Sequence, residues 1–237
     1  MPSRGDVISY LDMCRAEGVN LQRGMNYHLR PNYSVILMSL RAGAPYADRI
    51  EDEGRTLIYE GHDTPAGRGR LQPKQVDQPM SHPGGSLTQN GLFFEAAQRH
   101  KNNQTHREVV RVYEKIRPGV WVYNGFFDLQ DAWQEVSGRR KVFKFKLQLM
   151  EQDFNQRGPS KNFELDQDRL IPSHVKLEVW KRDKGQCTKC GASDNLHFDH
   201  VIPFSRGGSS LVAENVQILC ARHNLENMIE SSKTSTN

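Results

Sequence analysis

The chain has 237 residues, a formal net charge of +4 and a charged fraction of 25%. This length is enough for one large domain or two modest ones, each burying its own core. No apolar run is long enough to span a bilayer, and Asp6, Asp12 and Arg15 interrupt the N-terminal stretch, which excludes a signal-peptide layout. We therefore expect a soluble cytoplasmic protein without membrane contact. The small excess of Lys and Arg suits a nucleic-acid partner but is equally common on solvated surfaces.

The apolar periodicity of the first 85 residues predicts a helix, two strands and a long loop. The helix covers residues 5–17, and the buried strands cover residues 33–40 and 55–61. Residues 61–85 are dominated by Gly, Pro and polar side chains. A loop of that length inside a domain is usually functional or disordered.

The next stretch predicts a helix and three strands. SLTQNGLFFEAAQRHKN, which begins at Ser86, has a helical period, and REVVRVYEKI, GVWVYNGFFDLQDAWQEV and RKVFKFKLQLM read as strands. The last strand alternates apolar residues with Lys141, Lys144 and Lys146. That alternation predicts a half-exposed strand with a basic outer face.

The remaining third opens with a stretch that has no periodicity. Residues 153–172 include Pro159 and Pro172 and are interpreted as a linker. Ser173 is then expected to cap a helix that ends before Gly185. The predicted organisation is a first domain at 1–152, a linker at 153–172, a second domain at 173–230 and a polar tail at 231–237.

Three of the four cysteines lie in the last quarter and form a metal-binding pattern. Cysteines of a cytoplasmic chain are more often metal ligands or core thiols than disulfides, and Cys14 fits a buried thiol in the first helix. Cys187 and Cys190 form a CxxC pair, and Cys220 and His223 repeat its spacing further on. Together they offer a Cys3His set for structural Zn²⁺. A redox CxxC is the alternative for the first pair, but it does not explain the second.

A second group of polar residues lies between and after these two pairs. Asp199-His200, Gly207-Gly208, Asn215 and Asn224 all belong to CTKCGASDNLHFDHVIPFSRGGSSLVAENVQILCARHN. This stretch resembles the HNH endonucleases, and the resemblance implies their ββα-metal fold, a two-stranded hairpin followed by a helix. The family usually has a fourth cysteine where this chain has His223, and histidine is also an acceptable zinc ligand.

The resemblance implies DNA phosphodiester hydrolysis, which needs a deprotonated water and charge neutralisation on the leaving oxygen. His200 is expected to be the general base, because a neutral imidazole can take a proton near pH 7. Asp199 and Asn224 would give oxygen ligands to one catalytic Mg²⁺ or Mn²⁺, and Asn215 would brace the loop. Neighbouring strand residues point to opposite faces, so Asp199 would address the metal and His200 the water.

Two further basic residues lie close to this motif in the sequence. Arg206 could contact a DNA phosphate, and a merely solvated arginine fits its position equally well. His197 is expected to be a solvated strand residue.

The first two thirds of the chain carry the whole charge excess. Residues 1–165 contain 23 Lys and Arg against 19 Asp and Glu, whereas the rest contains nine of each. This is consistent with DNA held mainly by the first part. The stretches PYADRIEDEGRTLIYEGHD, DQPM, REVVRVYE and GVWVYNGFFDLQDAWQEVSGRRKVFKFKLQL resemble, in this order, the SRA (SET and RING-associated) domain. The resemblance implies a twisted β-barrel with flanking helices that flips 5-methylcytosine out of DNA.

The SRA resemblance assigns a pocket for the flipped base, which needs aromatic faces and a carboxylate for the cytosine N4 amino group. Tyr46 and Tyr59 match the stacking tyrosines, with ordinary strand packing as the alternative for either. Asp48 matches the carboxylate, and Asp52 is its alternative. Glu60 stands where eukaryotic members have threonine, which could change the tolerance for a hydroxymethyl or glucosylated base.

The long loop lies where the SRA family inserts a groove-reading loop. Arg68, Arg70 and Lys74 are its expected DNA contacts, and QRHKNNQTHRE offers a second contact region. An ordinary solvated loop is the alternative for both.

The combined prediction is an α+β protein in which an SRA-like domain is joined to a small zinc-stabilised HNH domain. It implies a type IV-like, modification-dependent restriction endonuclease that binds double-stranded DNA containing 5-methylcytosine. Because two strands require two catalytic centres, a homodimer is expected. The alternatives are the same nuclease selecting 5-hydroxymethylcytosine or its glucosylated form, and a modified-DNA reader with an inactive nuclease.

Overall fold

The computed structural model describes residues 2–65, 72–150, 170–202 and 206–233. Its helices and strands follow the chain in the order β1 (Val7–Ile8), α1 (Tyr10–Glu17), β2 (Met25–Arg30), β3 (Tyr33–Met38), β4 (Arg49–Glu51), β5 (Thr56–Glu60), α2 (Gln89–Lys101), β6 (Val109–Arg117), β7 (Val120–Ser137), β8 (Arg140–Leu149), α3 (Ser173–Arg182), β9 (Leu196–His200), β10 (Val216–Cys220) and α4 (Ala221–Lys233). No helix in these ranges is long and apolar enough to cross a membrane.

Eight strands form one large sheet. Their order is β2-β3-β6-β7-β8-β5-β4, and β1 pairs with β7 beside this path. β3 and β6 run parallel, whereas the other pairs are antiparallel. The register shifts between β6 and β7 and between β7 and β8, and such irregularities bend long strands. The predicted α+β class is confirmed. Within the described ranges, β2 and β4 are the edge strands of this sheet and do not pair with each other.

The large sheet is covered by helices whose apolar residues face it. On α2, Phe93, Ala96 and Ala97 are buried against a cluster that includes Phe145. Met13 of α1 belongs to a second cluster, made with side chains of β3, β6 and β7. Both helices therefore stabilise the sheet by burying apolar surface.

The smaller sheet is the hairpin of β9 and β10. Its register pairs Leu196 with Cys220 and His200 with Val216, and α4 follows β10 directly. This is the strand–strand–helix order expected for residues 173–230. The hairpin core also includes Ile116 and Val122 of the large sheet.

The first helix is shorter than its apolar pattern predicts. The sequence predicts a helix from residue 5, but Val7–Ile8 form β1 because their backbone pairs with β7. α1 begins at Tyr10, and the Ser9 hydroxyl caps it by accepting a hydrogen bond from the Asp12 backbone at 3.1 Å.

The predicted capping role of Ser173 is wrong. α3 begins at Ser173 itself, with Pro172 at the cap position and no side-chain cap. The Ser173 hydroxyl instead donates a hydrogen bond to the Glu114 carboxylate on β6.

Most of the predicted linker, residues 153–169, lies outside the described residues. α4 continues to Lys233, past the expected end of the second domain at residue 230. The domain boundaries therefore stay a prediction.

Candidate functional site

Four side chains at the base of the hairpin form a cluster suited to a tetrahedral ion. The ligand atoms of Cys187, Cys190, Cys220 and His223 all lie within 4.8 Å of one another. The Cys190 and Cys220 sulfurs are 3.8 Å apart, and His223 Nδ1 lies 3.3 and 3.4 Å from the Cys187 and Cys220 sulfurs. Ligands about 2.3 Å from a tetrahedral zinc are separated by distances of this size. The donor set therefore fits Zn²⁺, as predicted.

The backbone prepares this cluster for a metal ion. The Thr188 N–H donates to the Ile218 carbonyl at 2.9 Å, which fastens the first Cys pair to β10. Burial opposes ionisation of the Cys187 thiol, but hydrogen bonds from neighbouring backbone groups and the His223 ring lower its pKa to about 6. A thiolate is the form that binds zinc.

Asp199 and His200 contact different elements at the end of β9. The Asp199 carboxylate accepts a hydrogen bond from the Asn227 amide on α4 at 2.6 Å. The His200 ring pairs through Nε2 with the hydroxyl of Ser210, a buried residue, at 2.9 Å. The two side chains thus address two neighbourhoods, as the alternation of β9 predicts. Burial raises the pKa of Asp199, and the Asn227 hydrogen bond opposes this increase.

Asn227 and Ser210 were missed by the sequence reasoning. Asn224, the predicted second oxygen ligand, lies in α4 one turn before Asn227, so both face the same side of the helix. The spacing of two asparagines three residues apart was the available signal for Asn227. No sequence signal pointed to Ser210, because only the path of the loop brings it to His200.

Asn215 holds both sides of the loop between the two strands. Its amide oxygen accepts from the Ile202 N–H at 2.8 Å, and its amide nitrogen donates to the carbonyls of Ile202 and Ser209 at 2.9 and 3.1 Å. Gly208 is needed in this loop because a Cβ there would lie 1.8 Å from the Ile202 carbonyl oxygen. Arg206 is exposed on the same loop, where its predicted phosphate contact stays untested.

The expectation for His197 is wrong. Its ring contacts the Asp6 carboxylate through Nδ1, and both side chains are more than four-fifths buried. The reason is that the N-terminal segment lies against β9.

Three of the four residues predicted for the base pocket, Tyr46, Asp48 and Glu60, line two adjoining cavities at the large sheet. Their volumes are about 550 and 450 Å³. Both are lined by Ser39, Arg41, Ala44, Pro45, Tyr46 and Asp48. Glu60, Lys74 and Arg140 also line the larger cavity, and His62 lines the smaller one.

Asp48 is held between two backbone donors at the wall of these cavities. Its carboxylate accepts from the Glu60 N–H at 3.0 Å and the Ser39 N–H at 3.2 Å. Burial raises its pKa to about 7, against these hydrogen bonds. The alternative, Asp52, is exposed and accepts a hydrogen bond from the Thr56 hydroxyl at 2.5 Å.

Tyr59 lies behind the pocket and does not line either cavity. It is 1% exposed, and its hydroxyl contacts the Leu37 carbonyl at 3.3 Å and the His62 ring at 2.9 Å. The ring that stacks on Tyr46 is His62, with 4.8 Å between centroids and an interplanar angle of 9°. Burial lowers the pKa of His62 to about 4, so the ring is neutral at pH 7. His62 was missed because nothing in its local sequence marks it as a pocket residue.

Glu60 is part of a buried charge network. Its carboxylate accepts from the Lys144 ammonium at 2.9 Å and contacts the Arg140 guanidinium at 3.4 Å. Arg140 also pairs with Asp63. The predicted basic outer face of β8 is therefore wrong at Lys144, which is 2% exposed because Glu60 on the neighbouring strand pairs with it.

The predicted DNA-contacting loop is described only in part. Arg68 and Arg70 lie outside the described residues. Lys74 pairs with Asp63 at 2.9 Å, and its ammonium is 4.4 Å from the centre of the Tyr46 ring. Lys74 thus lines the larger cavity beside Tyr46.

A known protein family matches the part of the chain that contains the hairpin. The HNH endonuclease family model matches residues 187–227, which hold the Cys3His cluster, the hairpin and the first half of α4. This match confirms the resemblance to HNH endonucleases seen in the sequence, and it supports a nuclease function for this segment. No curated protein sequence matches the chain.

Several solved structures are similar to the chain. The SUVH5 SRA domain bound to fully hydroxymethylated CG DNA has a TM-score of 0.45 and 22% identity, covering 64% of this chain and 91% of that one. The SUVH5 SRA complex with hemi-methylated CG DNA has a TM-score of 0.45 and 24% identity, with the same coverage. Arabidopsis thaliana SUVH6 in complex with SAM has a TM-score of 0.42 and 19% identity, covering 74% of this chain and 28% of that one.

Proposed function

We propose that the chain is a modification-dependent DNA endonuclease. Residues 1–152 would bind double-stranded DNA that contains a modified cytosine, and residues 173–230 would hydrolyse its phosphodiester bonds. The observation that carries the proposal is the end of β9, where Asp199 and His200 face two separate neighbourhoods inside the segment that matches the HNH model.

His200 acts as the general base in this proposal. Its Nε2 atom pairs with the Ser210 hydroxyl, which fixes the orientation of the imidazole ring. The ring removes a proton from the water that attacks the phosphorus atom. Asn215 keeps the loop that contains Ser210 closed onto the end of β9. A residue that orients a base in this way acts by positioning, and a small misplacement of a catalytic group lowers the rate strongly.

Asp199 and Asn224 would hold one Mg²⁺ or Mn²⁺ ion, whose ligands are oxygen atoms. When bound, such an ion neutralises charge on the phosphate and on the leaving oxygen. Asn227 donates to one carboxylate oxygen of Asp199, which orients the other oxygen. The zinc cluster has a structural role, because it joins the first Cys pair, β10 and α4 at one point.

Tyr46 and Asp48 would recognise the flipped base. Tyr46 offers an aromatic ring at the cavity wall, and Asp48 offers a carboxyl group whose pKa is about 7. In its protonated form this group can donate to cytosine N3 and accept from the N4 amino group, which matches the Watson–Crick edge of cytosine. Tyr59 supports His62 from behind.

5-Methylcytosine is the modification proposed first, and a larger one is the second candidate. The two cavities share Tyr46 and Asp48, and a hydroxymethyl or glucosylated base is the second candidate because Glu60 lines the larger cavity. Glu60 acts indirectly in either case, because Lys144 and Arg140 already occupy its carboxylate.

The test uses four copies of one plasmid that carry cytosine, 5-methylcytosine, 5-hydroxymethylcytosine or its glucosylated form. Each is incubated with the purified protein in Mg²⁺, in Mn²⁺ and in EDTA. We expect metal-dependent cleavage of modified plasmid only, and the preferred plasmid decides between the candidates. Equal cleavage of all four would leave a nuclease without a reader of modified bases.

The His200→Ala variant separates cleavage from binding. It should bind modified DNA with unchanged affinity and lose cleavage by about 100-fold or more. If the wild type and the variant both bind modified DNA and neither cuts it, the chain is a reader with an inactive nuclease. A homodimer is proposed because two strands must be cut, and light scattering of the protein bound to a modified duplex measures it.

A further inference from the structure

Residues 4–8 lie between the large sheet and the hairpin, and we refer to them as the strap. On one side the strap pairs with β7, where the Gly5 N–H donates to the Tyr123 carbonyl at 2.9 Å and the Tyr123 N–H donates to the Asp6 carbonyl at 3.0 Å. On the other side the Phe198 N–H of β9 donates to the Gly5 carbonyl at 3.0 Å. A single segment therefore links the backbone of the large sheet to that of β9.

Side chains reinforce this link at its centre. The Asp6 carboxylate contacts the His197 ring, and the two residues also form a backbone bridge. Gly5 has a φ of +92°, and a Cβ there would lie 2.9 Å from the Phe198 carbonyl oxygen, so a larger residue does not fit. The contacts therefore depend on the residues found at these positions.

The strap meets β9 close to the proposed catalytic residues. His197 and Asp199 share a face of the strand because strand side chains alternate with a period of two. One edge of β9 is occupied by β10, and the strap occupies the other. The position of Asp199 and His200 relative to the large sheet is therefore set by the strap and by the core beneath the hairpin.

We propose that Asp6 is a positioning residue for DNA cleavage. It holds β9 at a fixed position relative to the large sheet, which contains the proposed base pocket. This inference rests on the proposed nuclease function. Its consequence is a fixed distance between the bound modified base and the scissile phosphate. Small displacements of a catalytic group lower reaction rates strongly, so a loosened strap should slow cleavage and spread the cut positions.

The experiment compares Asp6→Ala with the wild type and with Asp12→Ala, a control at an exposed acidic residue on the same N-terminal segment. A duplex with one modified cytosine is used to measure binding affinity, the cleavage rate at saturating DNA and the cut position to single-nucleotide resolution. We expect Asp6→Ala to bind as the wild type does, to cut about tenfold more slowly or worse, and to cut at several positions. Asp12→Ala should match the wild type in all three measurements.

The double variant Asp6→His with His197→Asp restores the contact in the opposite direction. It should recover the single cut position and most of the rate that Asp6→Ala loses. An Asp6→Ala protein that cuts at the wild-type rate and position would overturn the proposal. So would a swapped variant that is no better than Asp6→Ala.

Hydrogen exchange provides a readout that does not depend on cleavage. In Asp6→Ala, the amides of residues 196–200 should exchange faster while those of β7 and β8 keep their protection. Unchanged hydrogen exchange in β9 would show that Asp6 does not hold this strand, even if the wild type cuts no DNA. A wild type that cuts no DNA, with faster exchange in the variant, would instead reject the nuclease proposal and retain the structural link.

Discussion

At the scale of single residues, burial controls the chemistry of Asp48. The carboxyl group is enclosed beside the cavities and its pKa rises to about 7, although two backbone N–H groups favour the charged form. In the folded protein the group therefore keeps its proton well above the ordinary value of 3.8. The unfolded chain releases that proton near pH 4. The folded state thus loses stability through Asp48 as the pH rises from about 4 to 7.

This linkage predicts the pH dependence of an Asp48→Asn variant. Asn does not titrate, so the variant should gain stability relative to the wild type between pH 5 and pH 8, by about 2–3 kcal/mol. Urea unfolding of both proteins across this pH range gives the difference. The comparison cancels the contributions of the other titrating groups. Parallel curves would show that the Asp48 carboxyl has an ordinary pKa.

A second prediction concerns Ser210, whose hydroxyl pairs with the His200 ring at 2.9 Å. Ser210→Ala should lower kcat by about tenfold or more with little change in KM, because the substitution frees the ring without touching DNA. Ser210→Thr keeps the hydroxyl and should recover most of the activity. Ser209→Ala on the same loop is the control, since the Ser209 hydroxyl accepts from the Leu211 N–H at 3.1 Å and does not pair with His200. Equal activity of Ser210→Ala and the wild type would remove Ser210 from the mechanism.

Residues that belong to a spaced motif could be predicted from the sequence, whereas residues brought in by folding could not. The four residues of the Cys3His cluster are recognisable from the two matched spacings, and Asp199 and His200 from their adjacency in a strand. His62 and Ser210 reach Tyr46 and His200 only through loop paths, and the sequence does not encode these paths in a local pattern. Tyr59 matches a motif residue, but the match does not reveal that it is buried and that His62 lies between it and the cavity.

At the scale of elements, the Cys3His cluster joins the turn after α3, the end of β10 and the start of α4. Cys190 is exposed at this junction, whereas Cys187 and Cys220 are buried. The hairpin has few apolar residues of its own, so the bound metal should contribute directly to its folding.

Cys190→Ser should therefore release the metal and loosen the hairpin. We expect less than one zinc per chain by elemental analysis and a lower melting temperature. The circular dichroism signal from the strands of the large sheet should change least. Cys14→Ser is the matched control, because Cys14 lies in α1 away from the cluster. Full zinc occupancy in Cys190→Ser would contradict a four-ligand site.

The ends of the elements were harder to predict than their types. The apolar pattern at residues 5–17 is compatible with one helix, but β7 offers backbone partners to Val7 and Ile8, and these residues become a strand. Backbone pairing over a long sequence separation leaves no trace in local periodicity. For the same reason the sequence could not show that Ser173 turns toward Glu114.

At the scale of the whole molecule, the large sheet and the hairpin share a core. Glu114 on β6 pairs with Lys176 on α3 at 2.6 Å, and Lys176 also donates to the Asn124 amide oxygen at 2.8 Å. These three residues are at most 2% exposed. The division into two domains rests on the linker composition and on two separate family resemblances, and neither reports contacts between residues 62 positions apart. We expect the two parts to unfold together.

The Lys176→Met variant tests this coupling. It leaves the Glu114 carboxylate buried without its cation, which typically costs about 3–5 kcal/mol. Burial opposes ionisation of Glu114, but Lys176, Ser173 and Asn124 hold its pKa below the ordinary 4.5. The pair therefore stabilises the fold above about pH 4.5 and loses this effect as the pH falls through the folded pKa. The variant should thus approach the wild type in stability at low pH.

Unfolding is followed by tryptophan fluorescence and by zinc release to a coloured chelator in the same urea titration. If the parts unfold together, both signals share one midpoint in the wild type, and Lys176→Met shifts both midpoints equally. Combining Lys176→Met with Glu114→Gln should recover part of the loss, because the amide can keep its hydrogen bonds without a buried charge. Lys181→Met, at an exposed position of α3, should change neither midpoint. Zinc release at a lower urea concentration than the fluorescence change would show that the hairpin unfolds on its own.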